Sequence, residues 1–263
     1  MHYPDLFSLR GQTAIVTGGT SRFGTVFSKA LAQAGANVII ASRNVSACQA
    51  LADELTNQGY SAVAAQFDLS QDESIEQLVE FAVSKYGHID VLVCNAVGRA
   101  GAAELDGITR AMLVDSVNVN VAGQLILIQK AIPHMLQRGK GNIILMSSTN
   151  AMSAPKFSLI TGKRMNPINY TGEKWEINGL TKWLAAKYGK LGIRVNALCP
   201  GTYDPSVFQN PELKDYVHNY EEYNPIPRFM NVDEVAGPLL FLASEASSYC
   251  TGVLLPVDGG YSI

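Results

Sequence analysis

Short apolar runs and amphipathic stretches take turns along almost the whole chain, and that alternation limits the fold more than any other feature. "TAIVTG" (13–18), "NVIIAS" (37–42), "SAVAAQFDLS" (61–70), "IDVLVCNA" (89–96), "GNIILMSS" (141–148), "IRVNALCPG" (193–201) and "GVLLPVDGG" (252–260) are short and mostly apolar. Such runs predict buried parallel strands. Between them lie stretches with helical spacing. Phe23, Phe27, Ala30, Leu31 and Ala34 share one face, and Gly35 closes that helix. Further helices are expected at 45–59, 71–87, about 109–138, 169–192 and 231–244. Parallel neighbours need crossover connections. The chain therefore predicts one α/β domain over 1–263, a doubly wound parallel sheet of about seven strands with helices on both faces.

In such sheets ligands bind outside the carboxyl ends of the strands. The places to search are 17–24, 42–43, 68–69, 94–98, 147–150 and 200–204. Composition narrows what could bind there. A net charge of −3, with no basic stripe, argues against a nucleic-acid or anionic-membrane surface. The longest apolar runs, "LILI" and "PLLFLA", are far shorter than the ~20 residues that span a bilayer. The first residues lack a basic segment followed by an apolar one, so no signal peptide is expected. Cys48, Cys94, Cys199 and Cys250 are scattered without a CxxC pair, as are His2, His88, His134 and His218. Reduced thiols, no metal site and a cytoplasmic location are expected.

Three sites carry chemistry. "TGGTSRFG" (17–24) follows the first strand and opens a helix. Gly18, Gly19 and Gly24 permit a tight turn, Thr20 and Ser21 add hydroxyls, and a helix N-terminus favours an anion such as a dinucleotide pyrophosphate. The same residues also suit an ordinary βα turn. The second strand ends in Ser42 and Arg43, a hydroxyl and a guanidinium, where an acidic residue would read the ribose of NAD. That pair suits a 2′-phosphate and points to NADP, with NAD as the alternative; a solvated arginine at a helix start is the plainer reading. Finally, Tyr170 and Lys174 stand four apart at the start of a helix, on one face. An ammonium beside a phenol favours the phenolate and makes the tyrosine a usable acid or base at neutral pH. A solvated pair is the commoner meaning of that spacing alone. Ser148 at the end of the fifth strand and Asn120 in the long helix supply its context.

With "FDLS", "CNAVG", "NVAGQ", "MSS", "VNALCPG" and "PVDGG" in order behind the glycine turn, the chain resembles the short-chain dehydrogenase/reductase family over nearly its whole length. The resemblance implies a Rossmann-type fold and hydride transfer between a secondary alcohol or ketone and a nicotinamide cofactor. It implies Tyr170 as proton donor or acceptor and Ser148 as hydrogen-bond partner of the substrate oxygen. Lys174 would bind the nicotinamide ribose and lower the tyrosine pKa, and Asn120 would hold a water. The turn from Gly18 through Thr20, Ser21, Arg22, Phe23 and Gly24 would take the pyrophosphate side. Asp68 and Leu69 would lie beside adenine, Asn95 and Ala96 near the adenosine ribose, and Pro200, Gly201 and Thr202 at the nicotinamide. The resemblance implies assembly as a tetramer or dimer through the long helices at about 109–138 and 169–190 and the C-terminal strand, with a homotetramer expected.

The chain departs from the family pattern in three places. Arg22 replaces a glycine of the turn and must point away from the pyrophosphate or reach round to its oxygens. "NNAG" becomes "CNAV", with Gly98 displaced by one. The segment between Ser148 and Tyr170 is long, and its Lys156, Lys163 and Arg164 would suit an anionic substrate such as a phosphorylated or nucleotide-linked sugar. A tyrosine-rich stretch at about 203–224 has the length of a substrate lid, or packs its aromatics on the core. The expected function is an alcohol dehydrogenase or carbonyl reductase acting on a polar, sugar-like small molecule. A dinucleotide-binding sensor or scaffold without catalysis is the alternative.

Overall fold

The structure, a computed structural model, describes residues 2–98, 103–154, 167–203 and 210–263. Seven strands form one sheet: β1 (Thr13–Thr17), β2 (Asn37–Ser42), β3 (Ala62–Gln66), β4 (Val91–Cys94), β5 (Gly141–Met146), β6 (Ile193–Pro200) and β7 (Leu254–Val257). Their order is β3-β2-β1-β4-β5-β6-β7, and every pairing is parallel. The chain runs outward from β1 to one edge, then returns to β4 and builds toward the other. The order reverses between β1 and β4, which is where a doubly wound sheet opens its ligand crevice.

The helices are α1 (Arg22–Gln33), α2 (Val45–Asn57), α3 (Asp72–Tyr86), α4 (Arg110–Val117), α5 (Gly123–Arg138), α6 (Ile168–Tyr188), α7 (Lys214–Tyr223) and α8 (Ala236–Ala243). Successive strand residues point to opposite faces, and the two cores divide the strands accordingly. Ile15 and Ile39 join Leu78, Leu127 and Ile177 beneath α3, α5 and α6. Ala14, Val16, Val38 and Ile40 join Phe27, Leu31, Leu51 and Leu239 beneath α1, α2 and α8. Two-sided burial is why these strands read as continuous apolar runs rather than alternating ones. Each fully buried branched side chain contributes about 1.5–3 kcal/mol. Cys48, Cys94 and Cys199 are buried, and all four thiols are free. Burial pushes the Cys94 thiol up to about 12, which keeps it inert.

Three features differ from the sequence expectation. The long helix predicted at 109–138 is divided by a π turn, Asn118–Ala122, between α4 and α5. The stretch at 203–224 contains the helix α7, which its polar composition hid; residues 204–209 lie outside the described residues. And Arg110–Arg138, taken as one helix, holds a stretch of 18 residues apolar enough, by length and composition alone, to cross a membrane. Its polar breaks hid that in the search for unbroken apolar runs. In the fold, Leu127, Ile128, Ala131, Ile132 and Met135 of this helix are buried in the sheet's core, and α5 packs on α3.

Candidate active site

The glycine turn sits at the end of β1. Gly18 has φ +62°, and a Cβ there would lie 2.9 Å from the Asn95 amide nitrogen. A Cβ on Gly24 would overlap the Gly18 carbonyl oxygen and stand 2.8 Å from the carbonyl carbons of Gly18 and Gly19. The turn and the first turn of α1 therefore touch backbone to backbone, which only glycine permits. Ser21 caps α1 by accepting from Gly24 N at 3.1 Å. The arginine in the turn does not fill it. Arg22 is exposed, with Cζ 6.0 Å from the centre of the Tyr203 ring, and Tyr203 packs on Phe23 at 4.2 Å.

Asn95 has a role the sequence reading did not assign. Its Nδ2 donates to Thr17 O (2.9 Å), Gly18 O (3.0 Å) and Ser21 Oγ (3.2 Å). The Thr17 hydroxyl reciprocates by accepting from Asn95 N and Ala96 N. The switch point is thus stitched across β1 and β4, and the glycine turn is held from its inner side. Buried amides with this many partners rigidify the backbone they touch.

On the β2 side, the Ser42 hydroxyl lies 3.0 Å from the Thr20 hydroxyl, and Arg43 is exposed beside it. Asp68 accepts from Ser70 N at 3.0 Å and Ser70 Oγ at 2.8 Å. Those bonds to Ser70, with Arg43 nearby, hold its carboxyl below the usual range. Leu69 is buried, and its carbonyl lies where a Cβ on Gly123 would go. Gln124 donates to Ala96 O at 3.2 Å.

The π turn places Asn120 inward. Its Oδ1 accepts from Gly98 N at 2.6 Å, and its Nδ2 donates to Gly98 O at 3.0 Å. The displaced glycine of "CNAVG" is therefore the residue that the Asn120 amide reads, and a Cβ there would stand 2.9 Å from Val119 Cγ1. π turns interrupt the helical ladder and recur at functional sites. A buried acid, Glu173, accepts from Asn120 Nδ2 at 3.0 Å. Nothing in the sequence reading singled it out. The signal was available in its position: on α6 the buried stripe runs Asn169, Glu173, Lys174, Ile177, Asn178, Thr181, Leu184, Ala185, with three polar residues leading it and two apolar ones closing it.

Along that stripe, Lys174 is buried and donates to Met146 O at 2.7 Å. Its Nζ lies 5.6 Å from the centre of the half-buried Tyr170 ring. Ser147 ties β5 to α6, donating to Asn178 Oδ1 at 2.6 Å and Lys174 O at 3.3 Å. Asn178 donates on to Ala151 O at 2.9 Å. Next to Ser147, Ser148 is buried and accepts from Asn150 N at 3.2 Å, and the turn it caps packs on α6. The structure thus brings Ser148, Tyr170, Lys174 and Asn120 around one end of α6, beyond β4 and β5.

The remaining strand end carries Pro200, Gly201 and Thr202. A Cβ on Gly201 would meet Asp258 Cα at 2.9 Å, and the Thr202 hydroxyl lies 3.3 Å from Tyr216 OH. Tyr216 and Tyr220 of α7 join Phe229 and Tyr261 in a separate aromatic cluster, with Tyr220 stacked on Phe229 at 4.2 Å. Burial pushes the Tyr220 hydroxyl above its usual range. Tyr223, by contrast, is exposed. Phe208 and the basic Lys156, Lys163 and Arg164 lie outside the described residues. Among the described residues no three His, Cys, Asp or Glu side chains gather as a metal site would need.

These residues fit a dinucleotide. The turn 18–24 is shaped by glycines against backbone at the switch point, the N-terminus of a twelve-residue helix follows it, and Arg22 is drawn out to Tyr203.

Comparison with known proteins agrees with that geometry. Residues 20–262 match the profile of a family described as "Enoyl-(Acyl carrier protein) reductase". Gluconate 5-dehydrogenase of Gluconobacter oxydans is 31% identical over 267 residues, spanning 100% of this chain and 99% of that protein. L-rhamnose-1-dehydrogenase of Scheffersomyces stipitis is 33% identical over 261 residues, spanning 96% of each. The crystal structure of a gluconate 5-dehydrogenase from Burkholderia cenocepacia, in complex with NADP and tartrate, superposes with a TM-score of 0.87 at 30% identity over 98% of both chains.

Proposed function

The chain belongs to the short-chain dehydrogenase/reductase family, and we propose that it interconverts a secondary alcohol and a ketone on a polar, sugar-like molecule with Tyr170 as general acid/base. It is an NAD(P)-dependent oxidoreductase. The observation that carries the residue assignment is the buried Lys174, 5.6 Å from the Tyr170 ring centre and fixed to Met146 O, between the turn of Ser148 and the π turn of Asn120.

The nicotinamide cofactor supplies or accepts the hydride. The turn from Gly18 to Gly24 would hold its pyrophosphate, Asp68 and Leu69 its adenine, Asn95 and Ala96 the adenosine-ribose side, and Pro200 to Thr202 its nicotinamide end. Ser42 and Arg43 would hold a 2′-phosphate, so NADP is the preferred form. The substrate oxygen is held by the Ser148 hydroxyl. The Tyr170 hydroxyl gives its proton to that oxygen in reduction and removes it in oxidation. The Lys174 ammonium favours the phenolate, and Asn120 holds a water through which the proton is restored. Relatives that act on gluconate and rhamnose support a polyol or sugar acid as substrate.

The same reading takes 1–263 as one domain with 203–224 as its lid, in a cytoplasmic enzyme. Leu113, Val114, Val117, Trp175 and Trp183 are exposed on α4 and α6, an apolar face suited to a second copy of the chain in a dimer or tetramer.

The test is Tyr170→Phe. Its kcat on sugars and sugar acids should fall by roughly 10²–10⁴, while NADPH still raises the unfolding temperature. NADPH at 100 times its Kd stabilises by about 2.7 kcal/mol, a shift of roughly 5–10 °C for a chain of this size. Unchanged turnover would remove Tyr170 from the mechanism.

A further inference from the structure

Glu173 stands between Tyr170 and Lys174 in sequence, its side chain meets Ser116 of α4 and Asn120 of the π turn, and the residue is 5% exposed. A carboxylate so deep needs donors. Ser116 donates its hydroxyl to Oε1, and Asn120 donates Nδ2 to Oε2 at 3.0 Å. Ser116 in turn accepts from Asn169 Nδ2 at 2.9 Å. The chain of donors therefore runs Asn169 to Ser116 to Glu173, and ends on the acid that also takes the Asn120 amide. Burial raises the Glu173 carboxyl above its usual range, while the bond from Asn120 and the charge of Lys174 oppose that shift.

We propose that Glu173 is a positioning residue for Asn120, gripping its amide from α6 while Gly98 grips it from the end of β4. A π turn has lost regular i→i−4 bonding where Asn120 sits, so side chains must set the direction of that amide. Asn120 uses Oδ1 for Gly98 N and shares Nδ2 between Gly98 O and Glu173. The acid ties the π turn to the helix that carries Tyr170 and Lys174. A contact needed only for packing would be met by an apolar side chain at lower cost than a buried acid.

The inference rests on the catalytic role given to Asn120 above, and its test separates the two. Glu173→Ala, Glu173→Gln and the parent are compared without ligand by hydrogen exchange at Gly98, whose N–H bonds to Asn120 Oδ1, and with NADPH and substrate by kinetics. Glu173→Ala should speed exchange at Gly98 and across 118–122. It should lower kcat about tenfold, less than the ~100-fold that a 1 Å misplacement costs. KM and the NADPH Kd should stay within about twofold, because Glu173 touches neither ligand in this reading. Glu173→Gln keeps an acceptor for Asn120 and should recover both readouts. Should Glu173→Ala fail to fold, Glu173→Met, which keeps the volume and loses the acceptor, carries the same expectations. Parent-like exchange and kcat in the variant lacking the acceptor would overturn the proposal. So would equal losses in Glu173→Gln. Faster exchange with kcat unchanged would instead remove Asn120 from the relay, and with it the function proposed for Glu173.

Discussion

A methyl group on Gly24 tests the shape of the cofactor turn directly. In the structure that Cβ would stand 2.8 Å from the carbonyl carbons of both Gly18 and Gly19 and would overlap the Gly18 carbonyl oxygen. Backbone cannot rotate away as a side chain can, so the turn and α1 must part by roughly 1 Å to recover ordinary carbon contacts of ~3.5–4.0 Å. Forcing an extra carbon into a packed contact costs about 1–3 kcal/mol. At about 2 kcal/mol, Gly24→Ala should lower the unfolding temperature by roughly 4–8 °C. It should weaken NADPH by about tenfold or more, since the separated surfaces are those proposed to cradle the pyrophosphate; tenfold is about 1.4 kcal/mol. Gly237→Ala is the matched control. That glycine lies in α8 with nothing within 4 Å of its would-be Cβ. The same methyl there should raise stability by up to about 0.5–1 kcal/mol, through the helix preference for alanine alone. Differential scanning fluorimetry with and without NADPH reads both variants. A Gly24→Ala protein that melts within 1 °C of the parent and binds NADPH within twofold (order-of-magnitude thresholds) would refute the backbone-contact account of the turn.

Two further outcomes follow from other parts of the structure. If Arg43 reads a 2′-phosphate, Arg43→Ala should raise the NADPH Kd about tenfold or more, the worth of one charge-assisted bond, and leave NADH unchanged in isothermal titration. Equal losses for both cofactors would argue against that role. The Glu234 carboxyl is lowered to about 2 from 4.5, first by its bonds from Arg228 (2.7 and 2.8 Å) and then by the N–H of Asn231 in the capping box. A lowered pKa means stabilisation that is complete above the unfolded value of 4.5 and lost as pH falls toward 2. Glu234→Gln should therefore melt below the parent near neutral pH and converge on it in acid, and a difference that persists to pH ~2 would contradict the assignment.

Much of this was legible along the chain. The central strands β1, β2, β4, β5 and β6 were visible because two-sided burial makes their residues mostly apolar, and the half-buried edge strands β3 and β7 because they are short apolar runs as well. α3 ended where expected because Gly87, at φ +80°, takes a left-handed conformation that other residues avoid. Tyr170, Lys174 and Ser148 could be found because the first pair is four residues apart on a helix and the third ends a strand. The π turn was not legible. One extra residue in a turn leaves composition and near-helical periodicity almost unchanged, so 109–138 read as a single helix. α7 was hidden for a related reason: "KDYVHNYEEY" buries only Tyr220 fully, which leaves little apolar periodicity to see.

What the sequence determined by itself is local in origin: the alternation of strands and helices, the helix stops, the glycine turn and the register of Tyr170 with Lys174. Each depends on residues within a few positions of one another. What only the tertiary structure decided is which polar side chains meet across long separations. Asn95 reaches back across β1 to hold Gly18, Asn120 takes both backbone groups of Gly98, and Glu173 on α6 takes the Asn120 amide. A buried polar group must find its partner wherever the fold supplies one, and a spacing of 53 or 77 residues leaves no periodic trace. The neighbour of Arg22 is likewise not local: the ring of Tyr203 comes only after β6 in the chain.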